Sequence, residues 1–336
     1  MDADICYLLL VPFQPRAPLG PLEPIPAQKD APYFFDLDIE FRSAGERQLV
    51  VEGASVSIRL QVLDEQVWLA EGRYRLADFL SEAAAARHVA LKAALKQELQ
   101  RASGYTGSIT EQYTSLLLQT VESAPDEFVD QHSAALARLL RSLTEPLGEA
   151  DAREIVASRT RYSEHDLTVV DWAGAVIIAK HGDYQSDIEL MKIGCYQLLR
   201  YRMLDRAIER SLQTLRQSLA SARITWLPRP NQTLQQIVEQ RLALLLDFEK
   251  TDQSLLLIGD WYSARVYRLI VEQFDLKEWK ATVSAKLDSL AAIDGIVRQD
   301  LAFSWRRLLD IVQFVGWLVL LVGYFVLFVL DVSRYR

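Results

Sequence analysis

Between Ile311 and Leu330 the chain runs for twenty residues without a formal charge and with one amide, Gln313. No other feature limits the fold as strongly, because such a run cannot alternate between a core face and a solvated face. At about 1.5 Å of rise per residue it covers about 30 Å, the thickness of a hydrocarbon core. The expectation is a transmembrane helix over residues 308–330, starting with Ile311 at the uncharged edge. Gly316 and Gly323 stand seven apart on one face of it, and Trp317 and Tyr324 add aromatic bulk. Arg306 and Arg307 precede the run, while Arg334 and Arg336 follow it, so flanking charge decides little about orientation. The opening Met-Asp-Ala-Asp lacks the basic start of a secretory signal. That places the bulk of the chain in the cytoplasm, with single-pass topology, lipid as a partner and a short tail at 331–336. The competing reading is a buried core helix, a role that uncharged runs of this length rarely serve.

Charge separates the two ends. Residues 1–150 carry 13 Lys+Arg against 22 Asp+Glu, a balance of −9, while the whole chain stands at −8. An acidic front does not suit nucleic acid, whose phosphates need a basic surface. Cys6 and Cys195 fall in different elements and form no Cys-x-x-Cys, which excludes a disulfide framework and fits a reducing compartment.

Residues 1–11 read as a strand. Seven of the eleven prolines follow between 12 and 32, forming a polyproline-type loop. Tyr33–Arg42 alternates apolar with acidic residues and reads as a half-buried strand, as do 49–51 and 54–63. Leu76–Arg101, Ile109–Val121 and Asp126–Leu143 read as helices, and Ile155–Tyr162, Leu167–Trp172 and Ala175–Lys180 as a second set of strands. From residue 188 to 219 apolar residues step by threes and fours, a coiled-coil-like stripe. Pro228 and Pro230 end that helix, and Asn231 or Thr233 caps a second one running to about Phe274. A third begins near Leu276, and no breaker separates it from the apolar run. The fold class expected is α+β: an N-terminal α/β domain over 1–183, a long antiparallel three-helix bundle or coiled coil over 184–307, and the transmembrane helix continuing from it.

Four segments carry a resemblance: Val169–Ile178, Tyr196–Asp205, Trp261–Arg268 and Trp279–Asp288. Over about residues 165–330 they resemble an uncharacterised bacterial membrane family distantly similar to the RMD1/DUF155 group. The resemblance implies an α/β front, a helical rear, a terminal membrane helix in the bacterial inner membrane and no assigned enzymatic activity. A looser analogy is the CorA-type magnesium channel, but the Gly-Met-Asn signature and a second span are both missing.

Few residues suggest chemistry. Asp36, Asp38 and Glu40 project from one strand face and are the candidates for an oxygen-liganded divalent cation; a solvated strand face is the plainer reading. The four histidines are scattered, without zinc spacing, and no phosphate-loop, dinucleotide or nucleophile-elbow motif occurs. No cofactor is expected. Arg202, Arg206 and Arg210 form a ridge four residues apart. Internal ion pairing is the leading reading, ahead of acidic lipid, another subunit's acidic front, or RNA. Arg265 and Arg268, beside Tyr262 and Tyr267, carry the same choice. The function expected is a non-enzymatic, membrane-anchored scaffold or assembly protein that forms a homo-oligomer through its helices and engages a protein partner. A CorA-like ion channel or transporter subunit, or a metal- or nucleotide-dependent enzyme, is the alternative.

Overall fold

The first strand, β1 (Ala3–Pro12), reads Ile-Cys-Tyr-Leu-Leu-Leu-Val from Ile5 to Val11, and every one of those side chains is buried. An unbroken apolar run of that length marks a strand covered on both faces rather than one. The structure, a computed structural model, bears this out. It describes residues 1–13, 23–24, 39–145, 147–222, 242–243, 245–246, 248–249 and 261–334, without the side chains of 23–24, 215–222, 290–311 and 328–334. The proline-rich loop and the strand expected at Tyr33 lie largely outside these residues, as do the caps at Asn231 and Thr233.

β1 is the centre of a nine-stranded mixed sheet. On one side it pairs with β5 (Val67–Leu76), followed outward by β4 (Ala54–Leu63), β3 (Phe41–Val51) and the short β2 (Glu23–Pro24). On the other side come β6 (Glu111–Leu118), β9 (Gly174–Ile178), β8 (Leu167–Val170) and β7 (Arg159–Thr160). Every pairing is antiparallel except β6 with β9. The β3–β4 hairpin turns on Glu52 and Gly53, both at positive φ, as a two-residue turn matched to strand twist requires.

Ile5, Tyr7, Leu9 and Val11 share one core with Leu91, Leu95 and Leu99 of α1 (Glu82–Ser103) and with Leu136, Leu139 and Leu140 of α3 (Ser133–Arg141). The short α2 (Pro125–Gln131) and α4 (Glu149–Ile155) flank α3. Ser81 caps α1, its hydroxyl accepting from the Ala84 amide at 3.2 Å, and Gly104 closes the helix in the left-handed region.

The opposite face of the sheet is covered by the first half of α5 (Gln185–Ala222) and by α6 (Trp261–Gln273). Tyr113 of β6 meets the Phe274 ring edge-on at 5.3 Å, and Tyr267 of α6 donates to Gln197 of α5 at 2.8 Å. The two helices cross closely at Gly194, where a Cβ would collide with Ile270 Cγ2 and stand 3.2 Å from Phe274. Gly194→Ala is therefore expected to cost about 1–3 kcal/mol, the usual range for overpacking. Ile270→Ala in the same chain should recover part of that cost in a urea-unfolding double-mutant cycle. Strictly additive costs would rule out the clash.

By its internal contacts the chain divides into Met1–Ala207 with Leu246–Val283, and Ile208–Leu245 with Ser284–Arg336. The second unit holds the later part of α5 and most of α7 (Leu276–Arg334), a single 59-residue helix that starts at the residue expected for it. Within this unit Lys286 pairs with Glu209 at 3.0 Å.

Several expectations need correction. Among the described residues no helix is long and apolar enough to cross a membrane. The transmembrane helix over 308–330, the single-pass topology and the inner-membrane location are therefore not supported. Residues 109–121, expected to be helical, contain strand β6 instead, and the helix expected from Leu76 begins at Glu82 because Leu76 closes β5. Asp126–Leu143 is two helices meeting at His132, and of Ile155–Tyr162 only Arg159–Thr160 pairs as a strand.

Candidate functional site

Lys192 of α5 is fully buried, with its ammonium 2.7 Å from Glu71 of β5 and 2.8 Å from Glu189 one turn earlier. Arg73, two residues along β5 on the same face, donates to Glu71 at 2.6 Å and reaches Gln185 at 3.5 Å. Gln185 in turn donates to Glu189 at 2.7 Å. Burial alone would raise the Glu71 carboxyl, but Lys192 and Arg73 beside it prevail and hold it below the usual carboxylate range. Burial likewise works against the Lys192 ammonium, and Glu189 and Glu71 reverse the direction. Every charge here has a partner, so the cluster fastens α5 to the sheet. It places no reactive group beside an open face. Cys6, next to it, is pushed up to about 12, first by burial and then by Glu71, and is a poor nucleophile.

A second cluster sits where α6 begins. Asp187 of α5 is buried, and its Oδ1 accepts from the Tyr262 hydroxyl at 3.1 Å and from Thr168 of β8 at 3.4 Å. The two hydroxyls lie 3.0 Å apart. Burial pushes the Asp187 carboxyl up to about 7; Asp183 and Asp166 add to the rise, and the two hydroxyls oppose it. Over this ring lies an aromatic patch. Tyr162 and Trp261 stack at 6.0 Å and are 61% and 55% exposed, and Tyr262 meets the Tyr162 ring edge-on at 5.4 Å. The Arg265 guanidinium lies over the Trp261 ring at 5.7 Å.

Burial thus brings His88, pushed down to about 4, towards neutrality, and likewise Asp187 and Lys92. The latter is pushed down to about 8 by burial and by Lys96, and it donates to Ser142 at 2.8 Å. Lys92 links α1 to the end of α3 and lies 6.0 Å from the centre of the Tyr7 ring on β1, beneath no such patch. Asp187 joins three elements under an exposed patch, which makes it the stronger functional candidate.

Of the residues singled out in the sequence, Asp36 and Asp38 lie outside the described residues. Glu40 is exposed, just before β3, and pairs with Arg42 at 2.9 Å. No group of three or more His, Cys, Asp or Glu among the described residues is placed to hold a metal. Arg202 pairs with Glu111 and also donates to the Thr110 carbonyl at 3.3 Å, and Arg206 donates to Ser108 at 3.0 Å. Their partners are the first residue of β6 and the segment just before it. Arg210 and Arg268 are exposed. Gln313, Gly316, Trp317, Gly323 and Tyr324 all stand exposed on α7, whose backbone also includes Ile311. Glu71, Lys192, Thr168 and Asp187 were not among the sequence candidates. For Lys192 and Asp187 the available signal was a charged residue interrupting an otherwise apolar helix face; Glu71 and Thr168 lie on strands and carried no such signal.

Residues 53–185 match the family described as "Uncharacterized protein MJ0711, N-terminal domain". The chain is 26% identical over 192 residues to "Uncharacterized protein MJ0711" of Methanocaldococcus jannaschii. That match covers 56% of this chain and 58% of the relative. The chain is thus similar to an uncharacterised family over strands β4–β9 and helices α1–α4. No solved structure matches it.

Proposed function

We propose that the chain is a non-catalytic scaffold protein that associates with further copies of itself through α7. The observation that carries this reading is the apolar surface between Val312 and Leu327. Phe314, Leu320 and Tyr324 are exposed by 69%, 70% and 75%, and their large neighbours by half or more. Contiguous apolar surface of this extent marks an association site, since each Å² left bare forgoes about 25 cal/mol. Gly316 and Gly323 lie on one face, and a Cβ added to either meets nothing within 4 Å. That leaves a narrow seam against which another helix backbone can approach. Distant kinship with the RMD1/DUF155 group, supported by the four segments between Val169 and Asp288, forms part of the same proposal.

Light scattering of the full chain in a mild detergent that keeps the apolar surface dispersed provides the test. The expected mass is that of a dimer or larger at micromolar concentration. Gly316→Leu with Gly323→Leu should shift it towards the monomer. A strictly monomeric mass for the unaltered chain would sink the proposal.

A further inference from the structure

We propose that Asp187 is a proton-operated latch for α6: protonated, it holds the first turn of that helix against β8 and α5, and ionised, it lets that turn go. This goes beyond self-association and concerns the other unit of the chain. The geometry carries it. One carboxylate oxygen joins three elements, accepting from Tyr262 on α6 and Thr168 on β8 while its own backbone belongs to α5. Both partners are hydroxyls, so neither supplies a positive charge when the carboxyl ionises. The other charged groups facing it are acids, Asp166 before β8 and Asp183 before α5. The cation on the same turn of α6, Arg265, is engaged over Trp261. A buried carboxylate with acidic neighbours and hydroxyl partners alone is costly to ionise in place. Moving Tyr262 away admits water and removes that cost.

The direction follows from linkage. The docked carboxyl binds a proton up to a pH of about 7, and a released, solvated one only up to its ordinary 3.8. Docking therefore weakens as pH rises between those values and is constant above the upper one. Between pH 5.5 and pH 8 the docking constant should fall about 30-fold. Releasing the turn also frees Trp261 from its stack on Tyr162, so the exposed aromatic patch would change shape with pH.

Hydrogen exchange of the α6 amides in the full chain, corrected for intrinsic rates, measures this directly. Protection in the first turns of α6 should drop about 30-fold from pH 5.5 to pH 8 in the unaltered chain, and not at all in Asp187→Asn. A change below threefold in the unaltered chain, or pH dependence that persists in Asp187→Asn, overturns the latch. Should that variant not fold, carboxyl ¹³C titration of the unaltered chain decides instead. A midpoint near 7 that moves down in Asp166→Asn supports the latch, and a midpoint near 4 overturns it.

Discussion

Lys192→Met is expected to lower the unfolding free energy by about 3 kcal/mol, the lower end of the range for breaking a buried ion pair. The lower end applies because Glu71 keeps Arg73 at 2.6 Å when the ammonium is gone. The cost arises from what remains: a carboxylate in the middle of a nine-stranded sheet, with Leu8 opposite it on β1 and its strongest counter-charge removed. Adding Glu71→Leu removes the stranded charge, and the double variant should regain most of the loss, since apolar replacement of a whole buried pair is often neutral or stabilising. Urea unfolding of the four proteins in the cycle checks this. If the two changes are additive, the pair is not coupled and the account of how α5 is held to the sheet is wrong.

The second large effect concerns pH. The Asp187 carboxyl takes its proton at about 7 in the folded chain against an ordinary 3.8. The folded state therefore binds more protons than the unfolded one between those values, and stability falls as pH rises through that window. Below it the full stabilisation is present, and above it the loss is complete. About three pH units at 1.36 kcal/mol each give a limit of about 4 kcal/mol. Release of the first turn of α6 would cap the observed loss at the cost of that release. Asp187→Asn keeps an oxygen that accepts from Tyr262 and cannot ionise. It should be more stable than the unaltered chain at pH 8, and the two should converge near pH 4. Thermal melts across pH 4–9 test this, and equal melting temperatures at pH 8 would refute it.

These two residues also show how far the sequence could be read. Lys192 and Asp187 flank Ile188 and Met191 in the apolar stripe of α5, so their placement on a buried face follows from helical periodicity. Their partners do not. Glu71 is 121 positions from Lys192, and Tyr262 is 75 from Asp187. No local pattern specifies pairings at that separation. Arg202 likewise pairs with Glu111, the first residue of β6 and 91 positions away, and not with the nearby acids on its own helix.

Local chemistry determined the strands that are apolar throughout, the Glu52-Gly53 turn, the capped α1, and the long helices that begin at Gln185 and Leu276. Residues whose neighbours along the chain agree about periodicity need no further information. Glu111–Leu118 is different: its Gln-Tyr-Thr-Ser-Leu-Leu-Leu suits a helix or a buried strand equally, and the slot between β1 and β9 decides for the strand. The uncharged run near the C-terminus is the clearest contrast. Its composition is a property of the sequence, and so is the apolar surface it presents. Its expected role as a membrane span is not supported, because among the described residues no helix is long and apolar enough to cross a membrane. Composition sets how strongly a surface avoids water, and only the three-dimensional structure decides what lies against it.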